Sequence, residues 1–510
     1  MAGIKSLVKD TAVYGLSSIV GRFLNWCLVP LYVYLFPAAE YGIVSYLYAF
    51  TAVALVVLNY GMETGFFRFA NKEEDPELVY TTSLISVGAT SLLFILLLSG
   101  FLQPISRLLL LPHHSLYVWL LGVTVAIDAF SNLPFAYLRY KKRAYRFAGI
   151  KLLNVALNIV LNLFFLLVCP RLEASGGAGL INWFYAPLGG KAFGIGWIFV
   201  ANILSSVAIL LMLLPELLGR RWRISGELLR KMLGYSWPLL ILGVAGILSQ
   251  NMGQLLIPYL FTGHEEEARA MVGIFSANMK IAIVMVMFTQ AFRYAYEPFI
   301  FAQAKDDGEG KIQAYCDAMK YFIIFGLFIF LGVMFYLPLL KHFIAPGYWE
   351  GLRVVPVMMA AELCFGVFFN LSLWYKLTDR TRWGMYFSLI CFVVMFVLNI
   401  WLVRGIGIPD GYMGSAWAAL ISYALVMVLS YFAGRKYYPL PYELRRIGAY
   451  CVVAGVIWIG GSWMEGAMPM WAAYLLRGVL LLVYIGIIGA FEQVPIITPM
   501  VRKINKKIRK

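Results

Sequence analysis

The amino-acid sequence predicts an all-α, polytopic membrane protein of about 14 transmembrane helices, and three observations lead there. Apolar runs of roughly 20 residues, the length that takes a helix across ~30 Å of hydrocarbon, recur from one end of the chain to the other. The 510 residues are 62% hydrophobic and only 13% charged, with a mean hydropathy of +0.78. A soluble chain of that length would divide into several domains with far more surface charge. What charge there is gathers in short segments between the apolar runs, none of which is long enough for a soluble domain.

Taken in order, the spans fall near 10–36, 41–69, 79–102, 115–139, 145–169, 193–214, 232–260, 272–300, 314–340, 352–375, 383–403, 413–433, 447–463 and 470–491, with breakers between them. Lys5 and Lys9 precede an apolar stretch too long for a signal-peptide core, so no cleavable signal is expected. Alternate loops differ in charge. RYKKRAYR (139–146), GRRWRISGELLRK (219–231), KLTDRTR (376–382), RKYYPLPYELRR (435–446) and the tail VRKINKKIRK belong to one set. FPAAE (36–40), TGHEEEAR (262–269), RGIGIPDGY (404–412) and MEGAMPM (464–470) belong to the other. The first set carries about 28 Lys and Arg against about 6 in the second, which by the loop-charge rule places both termini in the cytoplasm. The net charge of +16 is therefore read as membrane topology, and no nucleic acid is expected.

The chain also repeats itself. Span one ends LVPLYVYLF and leads into EYGIVSYLYAF, while span seven ends LLIPYLF and leads into MVGIFSANMKI. Pro30 aligns with Pro258, Gly42 with Gly273 and Ser45 with Ser276. LNVALNIVLNLFFLL (152–166) parallels CFVVMFVLNIWLV (391–403), and Trp197 parallels Trp417. Two six-helix bundles, 1–218 and 219–436, are expected, with two additional helices and a basic tail in 437–510. Copies of six spans share an orientation, so a pseudo-two-fold axis along the membrane normal relates them, with a cleft between.

Several polar residues sit inside the spans. An arginine at mid-depth costs ~2.5–3.5 kcal/mol on insertion scales, so Arg22 is expected to face a cavity or a partner. Ser18, Asn25 and Trp26 share its helical face. Span two brings Asn59, Glu63 and Arg68; span seven brings Gln250 and Gln254; span eight brings Lys280, Gln290, Arg293 and Glu297. Excess positive charge with amides suits an anionic, hydroxyl-rich cargo, because guanidinium binds phosphate bidentately and amides bind sugar hydroxyls. Arg22 and Lys280 lead that set. Asp128, mid-way along span four, either partners Arg22 or carries a proton or sodium ion, and Glu63 and Glu297 are further candidates for ion coupling. Arg293 and Glu297, one turn apart, could equally pair with each other. Arg68, Lys151 and Arg477 have the positions of side chains that snorkel to headgroups.

No phosphate loop of the GxxxxGK[ST] kind occurs, so ATP hydrolysis is not expected. His113, His114, His264 and His342 lack ligand spacing, and the six cysteines lack CxxC spacing. Neither a metal nor a cofactor is expected, nor any catalytic residue. A membrane enzyme of glycan assembly would need larger outer loops than these.

GRFLNWCLVPLYVYLFPAAEYGIVSYLYAF followed by LNYGMETGFFRF resembles the opening of bacterial polysaccharide-biosynthesis flippases. These belong to the multidrug/oligosaccharidyl-lipid/polysaccharide exporter superfamily. AYLRYKKRAYRFAGIKLLNVALNIVLNL and YMGSAWAALISY extend the resemblance end to end. It implies translocation of undecaprenyl-pyrophosphate-linked oligosaccharide, of the O-antigen or capsule repeat-unit type, across a bacterial inner membrane by alternating access. It also implies work beside a glycan polymerase and glycosyltransferases, among membrane lipids. The family's cationic positions in spans one, two and eight correspond to Arg22, Arg68, Lys280 and Arg293. The lipid II flippase has richer arginine signatures in its first spans than are present here. The alternative within the superfamily is a cation-coupled antiporter of small organic molecules, for which Asp128 and Glu63 would serve.

Overall fold

The computed structural model describes residues 20–21, 23–174, 184–303, 310–378, 380, 382–463 and 469–492. Among them there is helix and no strand. Among the described residues, twelve helices are long and apolar enough to cross a membrane, and the shorter apolar helices Phe23–Leu35 and Gly196–Met212 supply expected spans one and six. The chain is a multi-pass membrane protein.

In chain order, α1 is Leu28–Leu35, α2 Ala38–Asn59, α3 Met62–Ala70, α4 Pro76–Gly100, α5 Ser115–Tyr140, α6 Ala144–Leu163 and α7 Gly196–Met212. Then follow α8 Gly226–Leu260, α9 Glu265–Gln303, α10 Gly310–Phe335, α11 Val354–Leu371, α12 Arg382–Ile406, α13 Tyr412–Tyr437, α14 Leu444–Trp463 and α15 Met470–Glu492. Their starts are written locally. Asp75 accepts from the backbone N–H groups of Glu77 and Leu78, both at 3.1 Å, and Pro76 fills the first turn of α4, where its missing N–H costs nothing. Ser225 caps α8 through the Leu228 N–H at 3.3 Å.

Span two departs from the expected continuous helix. Tyr60 (φ 31°, ψ 40°) and Gly61 (φ 73°, ψ 6°) are both left-handed, so α2 stops and α3 starts afresh. Gly61 takes that conformation without a Cβ clash, and the Ser236 hydroxyl donates to its carbonyl at 3.3 Å. Asn59 and Glu63 therefore do not share one helical face.

The chain forms two compact units, Met1–Ser276 with Phe396–Tyr412, and Ala277–Met395 with Met413–Lys510. In the first, α8 packs along α2, α3 and α4. Met62, Phe66, Tyr80, Leu133 and Met232 form its buried centre, with Tyr80 stacked on Tyr137 at 4.3 Å. Basic loop residues fold onto acids there: Arg146 on Glu216 at 3.0 Å, Arg220 on Glu77 at 3.1 Å and Arg223 on Asp75 at 2.7 Å. Within the same unit, α2 and α9 cross at Gly42 and Gly273, where the absence of side chains lets the backbones approach.

In the second unit, Phe322, Leu331 and Phe335 of α10 share a core with Tyr450 and Ile457 of α14 and Tyr484 and Ile488 of α15. Lys320 of α10, its side chain 7% exposed, reaches Glu492 at 2.7 Å, Asp317 at 3.1 Å and Glu443 at 3.4 Å. Arg477 does not snorkel outward. It is buried and donates to the Phe335 carbonyl at 3.0 Å, which ties α15 to the end of α10.

Candidate functional site

The polar side chains of the first unit fall into two groups. One is an uncharged chain. Tyr32 Oη donates to Asn162 Oδ1 at 2.9 Å, and Asn162 Nδ2 donates to Asn158 Oδ1 at 2.9 Å. Asn158 Nδ2 donates to Asn202 Oδ1 at 2.7 Å, and Asn202 Nδ2 to Tyr48 Oη at 2.6 Å. Asn158 and Asn162 lie one turn apart on α6, so one face of a single helix connects α1, α2 and α7. Satisfied networks of this kind fix a unique packing. The asparagine spacing is visible in LNVALNIVLNL; its tyrosine partners from distant spans are not.

The other group is charged. Asp128 accepts from Ser206 Oγ at 2.7 Å and is in electrostatic reach of Lys151. Lys151 lies 4.1 Å over the Phe135 ring, so it turns into the bundle and does not snorkel. Glu63 is ion-paired with Arg139 of α5. Arg68 is exposed and stacks 4.1 Å over Tyr235 of α8. Gln254 donates to Ser276 Oγ at 3.1 Å, Asn25 and Gln250 are exposed, and Asn59 is half-buried at the end of α2. Arg22 lies outside the described residues.

In the second unit, Lys280 and Gln290 are half-buried on α9. Arg293, two turns on from Met285, sits 4.4 Å over the Phe369 ring of α11. Lys376, just beyond α11, lies 4.5 Å over the same ring. Two cations on one aromatic face-pair combine positive charge with an apolar platform. The Glu297 side chain lies outside the described residues.

The partners of the sequence candidates mostly come from residues the sequence did not single out, Arg139, Ser206, Tyr235, Phe369 and Lys376, while Lys151 was read as a snorkelling side chain. A further carboxyl was missed altogether. Glu362 sits mid-way along α11, beside Tyr423 of α13. A single acid in AAELCFG is easily passed over within an apolar run, although an ionisable residue at mid-span is itself the signal. All six cysteines are free thiols. Among the described residues no group of three His, Cys, Asp or Glu could hold a metal ion.

A family model for polysaccharide biosynthesis proteins matches residues 7–302, more than half of the chain. The chain belongs to the polysaccharide biosynthesis protein family. Among solved structures, the family's fold as realised here is similar to the lipid II flippase MurJ in an inward closed conformation. The TM-score is 0.71 at 10% identity, over 96% of this chain and 100% of that one. It is also similar to an inward-facing multidrug resistance MATE transporter of the MOP superfamily, with a TM-score of 0.61 at 16% identity over 84% and 95% of the two chains. A MOP superfamily transporter from Pyrococcus furiosus gives 0.56 at 16% identity over 86% and 96%. No curated protein matches the chain. This polysaccharide biosynthesis protein thus has the polytopic fold of flippases and transporters.

Proposed function

We propose that the protein moves an undecaprenyl-pyrophosphate-linked oligosaccharide, an O-antigen or capsule repeat unit, from the inner to the outer leaflet of a bacterial cytoplasmic membrane. The observation that carries this reading is the family match over 7–302 on a fold like that of a lipid II flippase. Basic loops place both termini in the cytoplasm. The duplicated bundles 1–218 and 219–436, with 437–510 added, supply the alternating-access frame.

Recognition needs no covalent chemistry. Arg22, Arg68, Lys280 and Arg293 serve the pyrophosphate, where the guanidinium fork matches two phosphate oxygens. Asn25, Asn59, Gln250, Gln254 and Gln290 serve sugar hydroxyls through amides that both donate and accept. Phe369, with Arg293 and Lys376 against it, offers a sugar ring an apolar face beside positive charge. The polyprenyl tail stays in lipid throughout. A glycan polymerase and glycosyltransferases act before and after the step.

Deleting the gene should accumulate lipid-linked repeat units on the cytoplasmic side. Arg22→Ala and Lys280→Ala should each abolish surface polysaccharide with protein abundance intact; full surface polysaccharide from both variants rejects those assignments. The likeness to MATE transporters favours a second reading, a cation-coupled antiporter of small organic molecules. That reading expects drug susceptibility on deletion and normal surface glycan.

A further inference from the structure

The intramembrane carboxyls of the described residues divide by their partners. Glu63 is paired with Arg139, and Asp128 is held by Ser206. Glu362 is half-buried at the middle of α11, and no hydrogen bond or ion pair reaches it from the described residues. A carboxyl placed so is costly to the fold, and such residues in membrane spans mark proton or ion pathways.

A second observation lies on the same face of α11. Glu362, Gly366 and Asn370 follow at four-residue steps. At Gly366 the helix meets Thr289 of α9, whose Oγ1 lies 3.0 Å from where a Cβ would stand. Thr289 Oγ1 is buried without a hydrogen-bond partner, and so are both Asn370 amide atoms, on a residue only 1% exposed. Buried polar atoms left open in this way are normally satisfied by internal water. Glu362 and Asn370 of α11, with Thr289 of α9 at the level between them, therefore form a polar line from mid-span toward the end that carries the basic loop KLTDRTR.

We propose that Glu362 is a proton-carrying carboxyl, reached from the basic-loop end of α11 through water held by Asn370 and Thr289. In one conformation the carboxylate gains an O–H bond to a proton delivered along that path. In the other it returns the proton to water on the opposite side, so one proton crosses and no other bond changes. A metal cation fits the site poorly, because hard cations need several oxygens and the neighbours are Phe365, Tyr423 and apolar chain. The titratable and charged groups around it are few. Tyr423 of α13 faces it, and Cys391 of α12 acts on Tyr423 from beyond. On α9, Lys280 is half a turn out of phase with Thr289, and Arg293 is held against Phe369 two turns away. On α10, Lys320 is engaged by its three carboxylates.

The proposal rests on the transporter reading but not on the cargo. Its test uses the full-length protein in proteoliposomes with an entrapped pH dye and an imposed pH gradient, together with labelling by a hydrophobic carbodiimide, which modifies protonated carboxyls in apolar surroundings. Protein-dependent proton movement is expected, falling at least tenfold in Glu362→Gln, recovering in Glu362→Asp and slowing severalfold in Thr289→Val and Asn370→Leu. In the wild type, Glu362 itself should take the carbodiimide, and less of it as pH rises. Equal proton movement by wild type and Glu362→Gln, or an unlabelled Glu362 at every pH, overturns the proposal. Flipping of lipid-linked oligosaccharide is read in the same vesicles. Flipping without proton movement removes Glu362 from the mechanism and leaves the flippase reading standing. Glu362-dependent proton movement without flipping does the reverse.

Discussion

Gly42 and Gly273 approach each other with reciprocal geometry. A Cβ on Gly42 would lie 1.8 Å from the Arg269 carbonyl oxygen, and one on Gly273 would lie 2.0 Å from that of Ala38. Each glycine thus meets the residue four before the other, the pattern made by symmetry-equivalent residues beside a two-fold axis. These are the two glycines that align in the sequence repeat. The nearest atoms are backbone, so no rotamer change can relieve a methyl group. Gly42→Ala and Gly273→Ala are each expected to destabilise the protein by about 1–3 kcal/mol, as overpacking does. Thermal unfolding in detergent checks this, and an unchanged midpoint for both would contradict the close crossing.

Lys320 gathers three carboxylates from α10, the α14 approach and α15. Removing one member of a buried ion pair costs about 3–5 kcal/mol because the other charge is stranded. Asp317 and Glu443 are each about a third exposed, so the lower end of that range applies. Lys320→Met should loosen α14 and α15 first, seen as early proteolysis near 440, and adding Glu492→Gln should restore part of the loss. Equal protease resistance of Lys320→Met and wild type would contradict it.

Asp128 and Lys151 are expected to behave as a structural pair. Asp128→Asn strands the Lys151 ammonium among apolar groups and lowers the amount of folded protein several-fold. Asp128→Asn combined with Lys151→Met recovers it. Quantifying membrane-inserted protein distinguishes this from an ion-coupling role, in which Asp128→Asn would be abundant and inactive.

Asp75 gives the start of α4 a pH dependence. The Leu78 backbone N–H, and then Arg223, hold its carboxyl below the usual aspartate range. A depressed folded value contributes stability above the unfolded value and loses it as pH falls through the folded one. The loss therefore lies below about pH 4. Asp75→Ala should cost about 1 kcal/mol near neutrality through the lost cap. Hydrogen exchange at the first turn of α4 should rise on acidification in wild type and be insensitive to it in Asp75→Ala.

Helix positions were largely legible in the sequence because hydrocarbon thickness sets a length that composition reveals. The expected spans 115–139 and 447–463 differ from α5 and α14 by at most three residues at either end. The break at Tyr60–Gly61 was not legible: a tyrosine and a glycine inside an apolar run do not announce left-handed backbone. Partner choice was hidden for a related reason. Glu63 meets Arg139 from a loop read as topology, and Lys151 turns inward because Asp128 and Phe135 wait there. Such pairings depend on which helices become neighbours, and one-dimensional spacing does not contain that.

Cargo movement is measured most directly as leaflet accessibility of a labelled undecaprenyl-pyrophosphate oligosaccharide in vesicles containing the purified protein. The glycan should become accessible to an impermeant lectin from the opposite leaflet only when the protein is present, and Lys280→Ala should reduce that rate at least tenfold. Accessibility no greater than in protein-free vesicles, alongside efflux of small organic cations by the same preparation, would contradict the account.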